Sequence, residues 1–421
     1  RRQRQMCIRD SKNSVPLKIG KNAFASNANI TTVTLHNEDL LEIADNAFAS
    51  CDKLTTVNFE SSAVLKIGQN AFSSNSSLEK VELMSSASVV IADNAFASNT
   101  KLTEVTLGDG VTSVGNSAFA GCSKITALKI GKDVATIGDN AFSGAPLTRS
   151  LAFVKDGALR HIGKYAFQSL RVRGELSLPD KVEYIGNGAF AYPRSLTKIV
   201  LPANRNLVVC DSAFTHAQRV SELVFPDTVK SIGKHAFADL QAEGMTELNI
   251  KAHNIGEEAF ATESTETHIT KLAVAGNGTL GVRAFKGLTA LTEASVEIPE
   301  ISESAFADLN QLSNIHFGDN IERIAPSAFA NCAIENLAFP TVENPAAVTV
   351  VEAGAFVGNP LKHLSLGNRM KQIDLLNINI GTYYTDQTVD LGSTVQRIER
   401  GAFKYLKSLT LPSSLEYIST E

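Results

Sequence analysis

Cysteine and histidine supply most of the nucleophiles and metal ligands in proteins, and this chain carries five of the first and eight of the second. Cys51, Cys122 and Cys332 each stand three residues after the Phe of an Ala-Phe pair. Other copies of the same pair carry Asn27, Asn75, Asn99, Ala145 or Leu170 at that place. One inward-facing position, filled by whatever small or apolar group fits, explains the set, so these read as buried free thiols. Cys51 and Cys122 are three repeats apart, about 14 Å at the spacing of paired strands, which is beyond disulfide reach. Cys210 replaces a Gly of another recurring position, and Cys7 lies in a separate N-terminal stretch. The histidines are His36, His161, His216, His235, His253, His268, His316 and His363. None falls in an H-E-x-x-H or CxxC-linked pattern. His316 and His363 share an outward strand position about 10 Å apart, two strand spacings, with only Asn336 and Ala338 between them. Gly108-Asp109 and Gly138-Asp139 read as turn and cap chemistry rather than calcium loops. No catalytic, cofactor-binding or metal site is expected, and no enzyme activity.

The elements that hold these residues are copies of one sentence, clearest in VTSVGNSAFAGCSKITALKI, 111–130. A fixed period has to be found before any local assignment. The Phe of the Ala-Phe pair falls at 24, 48, 72, 96, 119, 142, 167, 190, 214, 237, 260, 285, 306, 329, 356 and 403. Most gaps are 23–25 residues; the last is twice that. A degenerate copy near 367–391 fills it, with Ile373 and Ile378 at motif spacing and Thr388-Val389-Asp390-Leu391 where a strand is due. The count is then about 17 coils, with insertions at 341–348 and 262–268.

Each copy has three parts. L-x-x-V-x-L, as in Leu54–Phe59, Leu102–Leu107 and Leu196–Leu201, alternates like a strand with one face buried. A turn follows, often with Pro or Gly, as at Pro179, Pro202 and Gly108. V-x-x-I-G-x-x-A-F is then a short extended piece running into a short helical turn, with Asp45, Asp93, Asp139 and Asp211 placed to cap it. One coil offers about six apolar side chains at roughly 1.5–3 kcal/mol each, against roughly 1–2 kcal/mol of backbone entropy for each of its residues. It cannot stand alone. The fold class is therefore a repeat solenoid with a stacked parallel sheet.

The formal charge of −5 gives no nucleic-acid footprint. No apolar run reaches the roughly 18–20 residues of a membrane-spanning helix. The first ten residues, RRQRQMCIRD, resemble the translation of a sequencing-library adapter and are expected to be disordered and outside the fold. Residues 11–421 are expected to be a single solenoid cut mid-repeat at both ends.

L-x-x-V-x-L together with I-G-x-x-A-F-x-x-C-x-x-L resembles the BspA-like leucine-rich repeats, also called the Treponema pallidum type, from Val15 to Ile418. The resemblance implies a secreted or surface-exposed protein of a host-associated bacterium, engaged in adhesion and protein binding. The implied partner is a host or microbial surface protein, met by a monomer. The alternative is a targeting or spacer module of a larger extracellular enzyme.

The third and fifth residues of L-x-x-V-x-L should face outward. They are small, polar and mildly acidic, and none is aromatic. Interfaces favour Tyr, Trp and Arg, so this face suits broad protein contact better than a tight small-ligand site. The candidate protein-binding stretch is Lys198, Val200, Glu222, Val224, Glu247, Asn249, Lys271, Glu293, Asn314 and His316, with Val200 and Val224 as its candidate apolar anchor.

Overall fold

The computed structural model describes residues 5–9, 15–59, 64–84, 87–240, 244–342, 349–373, 387–399, 406 and 408–419. The chain divides into two compact units, residues 1–220 and 221–421. Both are parallel β-solenoid, about 15 turns in all.

In the first unit the L-x-x-V-x-L pattern gives Thr32–His36, Thr56–Phe59, Lys80–Leu83, Glu104–Leu107, Ala127–Ile130 and Ser150–Phe153. Each pairs in parallel with the strand one coil away, in unbroken register. Gly174–Ser177 and Leu196–Val200 form a further pair. The V-x-x-I segments make a second ladder, from Leu17–Ile19 through Val111–Val114 to Val208–Val209. It is an open ladder in chain order, with one irregularity at Val111/Ser113.

The second unit repeats the scheme. Glu247–Ile255, Lys271–Ala275, Glu293–Glu297 and Asn314–Phe317 pair in order. Asn336–Ala338, His363–Ser365 and Thr388–Asp390 form another parallel set, so a strand does stand where the degenerate copy requires one. Glu247–Ile255 serves both ladders: its start pairs with Lys271–Ala275 and its end with Val229–Ile232. The reason is local, because no Pro or Gly separates Ile250 from Ile255. Ile378, Phe403 and residues 343–348 of the insertion lie outside the described residues.

Gln5–Arg9, expected to be disordered, forms a strand in parallel register with Thr32–His36. The edge of that sheet presents unpaired backbone groups that any extended segment can satisfy.

The expected helical turn is absent: the described residues contain no helix. The Ala-Phe segment is instead a run of tight turns with positive φ two residues before the Phe and, in nearly every copy, two after it. Around Phe48 these are Asn46 and Ser50, both at φ 56. Alternate amides divide the work. Ala47 and Ala49 close turns on Ala44 O and Asn46 O, while Asn46, Phe48 and Ser50 donate to Gln69, Ala71 and Ser73 of the next coil. The Ala-Phe turns thus form a third inter-coil ladder, which no helix could, since its amides would be spent within the segment. Asn and Gly tolerate the left-handed region best. Asn46→Val should accordingly cost about 1–2 kcal/mol, the penalty for a bulky residue held there, read from its urea midpoint.

The expected capping by aspartate is likewise replaced by inter-coil bonding. Asp45 Oδ1 accepts from Gln69 N at 3.0 Å, Asp93 Oδ1 from Asn116 N at 2.7 Å, and Asp139 Oδ1 from Lys164 N at 2.7 Å. The Gly of the I-G pair answers to the same closeness. A Cβ on Gly138 would lie 2.6 Å from backbone atoms of Gly115 and Asn116.

Two ladders fill the core. The Phe rings from Phe24 to Phe214 stack within the first unit, with successive centroids 5.0–5.4 Å apart. Rings from Phe237 to Phe356 form a looser stack in the second, with centroids 4.8–5.7 Å apart and Phe285 and Phe306 tilted by 33°. Beside them runs the position three residues later. Asn75, Asn99 and Asn359 donate from Nδ2 to Phe carbonyls of their own coil, and Asn99 and Asn359 also to the preceding one. The cysteines occupy this place as sulfur donors.

Candidate functional site

Because side chains alternate along a strand, burying the apolar L-x-x-V-x-L positions presents the residues between them to solvent as straight rows. In the first unit one row runs Thr32, Thr56, Lys80, Glu104, Ala127, Ser150, and its neighbour runs Thr34, Asn58, Glu82, Thr106, Lys129, Ala152. In the second unit the rows are Glu247, Lys271, Glu293, Asn314 and Asn249, Ala273, Ser295, His316. These are the outward positions expected from the alternation, except that Thr34 is buried. Lys271 Nζ lies 3.8 Å from Glu247 Oε1, both well exposed. Such a pair is worth at most about 1 kcal/mol and leaves both groups available to a partner.

Of the ten candidate residues, Lys198 and Val200 belong to the first unit and the other eight to the second. Lys198 stands in register with Glu175, its Nζ 3.9 Å from Oε2. Glu222 is exposed, while Val200 and Val224 are each half-buried. The two-valine anchor is therefore divided between the units. Serine at both positions should leave the melting temperature of the chain within about 2 °C of the parent, as for other surface changes within about 0.5 kcal/mol.

The thiols behave as core groups. Cys122 and Cys332 are buried, and burial pushes both up to about 12. Cys51 is raised for the same reason. Their Sγ atoms donate to Phe96 O, Phe306 O and Phe24 O, each at 3.2 Å. Cys210 is half-buried and raised by desolvation, and its contact with Tyr184 pushes that phenol up to about 12. The thiolate is the reactive form. Iodoacetamide at pH 8 should therefore leave Cys122 and Cys332 unmodified in the folded chain and label them in urea, as counted by peptide mass spectrometry. His316 is exposed on its strand, and His363 Nδ1 lies 2.6 Å from Thr388 Oγ1. Among the described residues no group of three or more His, Cys, Asp or Glu converges as a metal site. None of them forms a helix long and apolar enough to cross a membrane.

A different feature lies on the Ala-Phe turns of the first unit. Tyr192 and His216 occupy the position two after the Phe, at φ 59 each. Their rings stack at 4.5 Å and 24°. They border a cleft of about 550 Å3 with Gln168, Ser169, Arg194 and Arg219. These residues lie off the strand face that the L-x-x-V-x-L alternation picks out. The signal was available in the repeat, since other described copies place Ser, Gly, Asp, Asn or Thr at that position.

The comparisons with known proteins agree with this architecture. The family described as "BspA type Leucine rich repeat region" matches in six copies, over residues 17–149, 89–209, 147–268, 207–335, 278–378 and 382–421. A leucine-rich repeat protein from Bacteroides ovatus ATCC 8483 is 18% identical with a TM-score of 0.51, covering 98% of this chain and 94% of that one, a likeness of fold. A leucine-rich cell surface protein from Faecalibacterium prausnitzii is 20% identical with a TM-score of 0.35, covering 75% of this chain and 87% of that one. The T. pallidum leucine-rich repeat protein is 26% identical with a TM-score of 0.32, covering 42% and 75%. No curated protein matches the sequence. With its family pattern running from Leu17 to Glu421 through two stacks of the same coil, the chain belongs to the BspA-type leucine-rich repeat family.

Proposed function

We propose that this chain is a non-enzymatic protein-interaction and adhesion solenoid of a secreted or surface-exposed bacterial protein, acting as a monomer on a host or microbial surface protein. One observation carries the reading: the outward strand rows are in register and mostly polar over several coils, as in Glu247–Lys271–Glu293–Asn314 beside Asn249–Ala273–Ser295–His316. A paired backbone holds these side chains at about 4.8 Å intervals, so a partner meets a surface that needs little ordering on binding. The family resemblance supports the extracellular setting. Charge steers such encounters, and the alternation of Glu247, Lys271 and Glu293 gives a pattern a partner can match.

The test is biolayer interferometry of the folded chain against purified extracellular-matrix and microbial surface proteins. The double substitution Lys271→Glu, His316→Glu should weaken a detected partner by at least about tenfold, 1.4 kcal/mol, and leave the melting temperature unchanged. Binding indifferent to this change, or no binding across the panel, removes the strand face of the second unit as the interaction surface.

A further inference from the structure

The position two residues after the motif Phe lies in the left-handed region in nearly every described coil, and the chain fills it economically. Ser26, Ser50, Ser74, Ser98, Gly121 and Gly144 illustrate the choice. Tyr192 and His216 break the rule in two successive coils. A tyrosine at positive φ is an outlier, a histidine less so, and such strain gathers where a site requires a particular side chain. Folding alone would accept Ser at both places, as the coil before them shows with Ser169 at φ 63.

The arrangement has the parts of a binding site. His216 covers one face of the Tyr192 ring. Its imidazole is held in turn by Thr215 Oγ1, 3.0 Å from Nδ1. On the other side Ser169, in register one coil earlier, is too small to cover the opposite face, and Tyr192 remains 44% exposed. Arg194 and Arg219 line the same cleft and are exposed. Among the described residues neither guanidinium is in an ion pair, whereas Arg149 and Arg160 of the same unit pair with Glu104 and Glu183. Among the described residues lining the cleft there is no carboxylate, in a chain whose formal charge is −5. Gln168 and Gln218 add neutral amides able both to donate and to accept.

We infer that this cleft binds an anionic sugar residue of a surface glycan. A pyranose ring lays its C–H face on an exposed aromatic ring, and the free face of Tyr192 supplies the platform. The amides of Gln168 and Gln218 suit ring hydroxyls, and the two guanidiniums suit a carboxylate or sulfate, which Arg receives with paired N–H donors. This site lies on the turns rather than the strands, so it stands whether or not the strand face binds protein.

Isothermal titration of the full chain with a hyaluronan tetrasaccharide, a heparin tetrasaccharide and neutral chitotetraose tests it. Hyaluronan carries carboxylates alone and heparin carries sulfates as well, so the pair identifies the preferred anion. Binding of at least one acidic saccharide, at least tenfold tighter than chitotetraose and weakening with salt, is the expected result. Tyr192→Ser installs the residue used by neighbouring coils and should keep or raise the melting temperature while weakening binding at least tenfold. Arg194→Gln with Arg219→Gln should weaken it similarly and flatten the salt dependence. Equal binding of the neutral sugar, unchanged binding by Tyr192→Ser, no acidic saccharide bound at millimolar concentration, or equal binding of poly-glutamate would each overturn the assignment.

Discussion

Phe119→Ala should destabilise the coils around it by about 3–5 kcal/mol, the cost of emptying a buried Phe site. The Phe119 ring is fully buried, and it stacks on Phe96 and Phe142 with centroids 5.1 Å away on each side and planes within 4°. Removal therefore opens a void facing two rings, and the close backbone contacts beside it leave little room for collapse. In a linear array each coil leans chiefly on its neighbours, so the loss should be local. Hydrogen exchange should rise in the coils carrying Phe96, Phe119 and Phe142 and stay near parental values around Phe24. A change below about 1 kcal/mol would mean that the Phe stack is not the principal core.

Asn99→Ala should cost about 2–4 kcal/mol for a different reason. Asn99 is fully buried, and its amide ties two coils together. Nδ2 donates to Phe96 O at 2.7 Å and Phe72 O at 3.0 Å, while Oδ1 accepts from Asn75 N at 2.8 Å. Truncation orphans the Asn75 amide outright, which costs about 1–3 kcal/mol when buried. The two carbonyls lose one donor each but keep another, Asn75 Nδ2 for Phe72 O and Cys122 Sγ for Phe96 O. Asn99→Cys should recover part of the loss, since Cys122 shows that a thiol at this position donates to the preceding Phe carbonyl. Urea titration with local exchange measurements distinguishes the two variants. Equal stability of Asn99→Ala and the parent would contradict the role given to this ladder.

The large features were legible because they rest on side-chain pattern. Leu102, Val105 and Leu107 alternate with Glu104 and Thr106, and alternation alone decides which side each residue takes. Cys51, Cys122 and Cys332 read as buried because Asn and Leu replace them in other copies. The Ala-Phe turns differ from the expected helical turn for a physical reason. Asp-Asn-Ala-Phe has the composition of a capped helical turn, and nothing in one copy reveals that alternate amides leave for the next coil. The left-handed residues were the available clue: Asn22, Asn46, Asn70 and Asn94 recur two before the Phe, where a helix would prefer a better helix former. The Tyr192–His216 cleft escaped because an averaged repeat hides its exceptions. A departure from the consensus carries information about function, whereas the consensus itself describes only the stack.

The Ala-Phe turns are a structural ladder equal to the strands. Amide hydrogen exchange resolved to short peptides tests it directly by comparing residues 115–122 with residues 127–130. Ser117, Phe119 and Gly121 donate to Asp139, Ala141 and Ser143 of the next coil at 2.7, 2.8 and 3.0 Å, and Ala120 closes a turn on Ser117 at 3.0 Å. Protection of 115–122 within about tenfold of the strand Ala127–Ile130, about 1.4 kcal/mol, is the predicted result. Exchange of 115–122 at the rate of an unstructured peptide, with the strand protected, would contradict it and reduce the fold to a stack held by its strands alone.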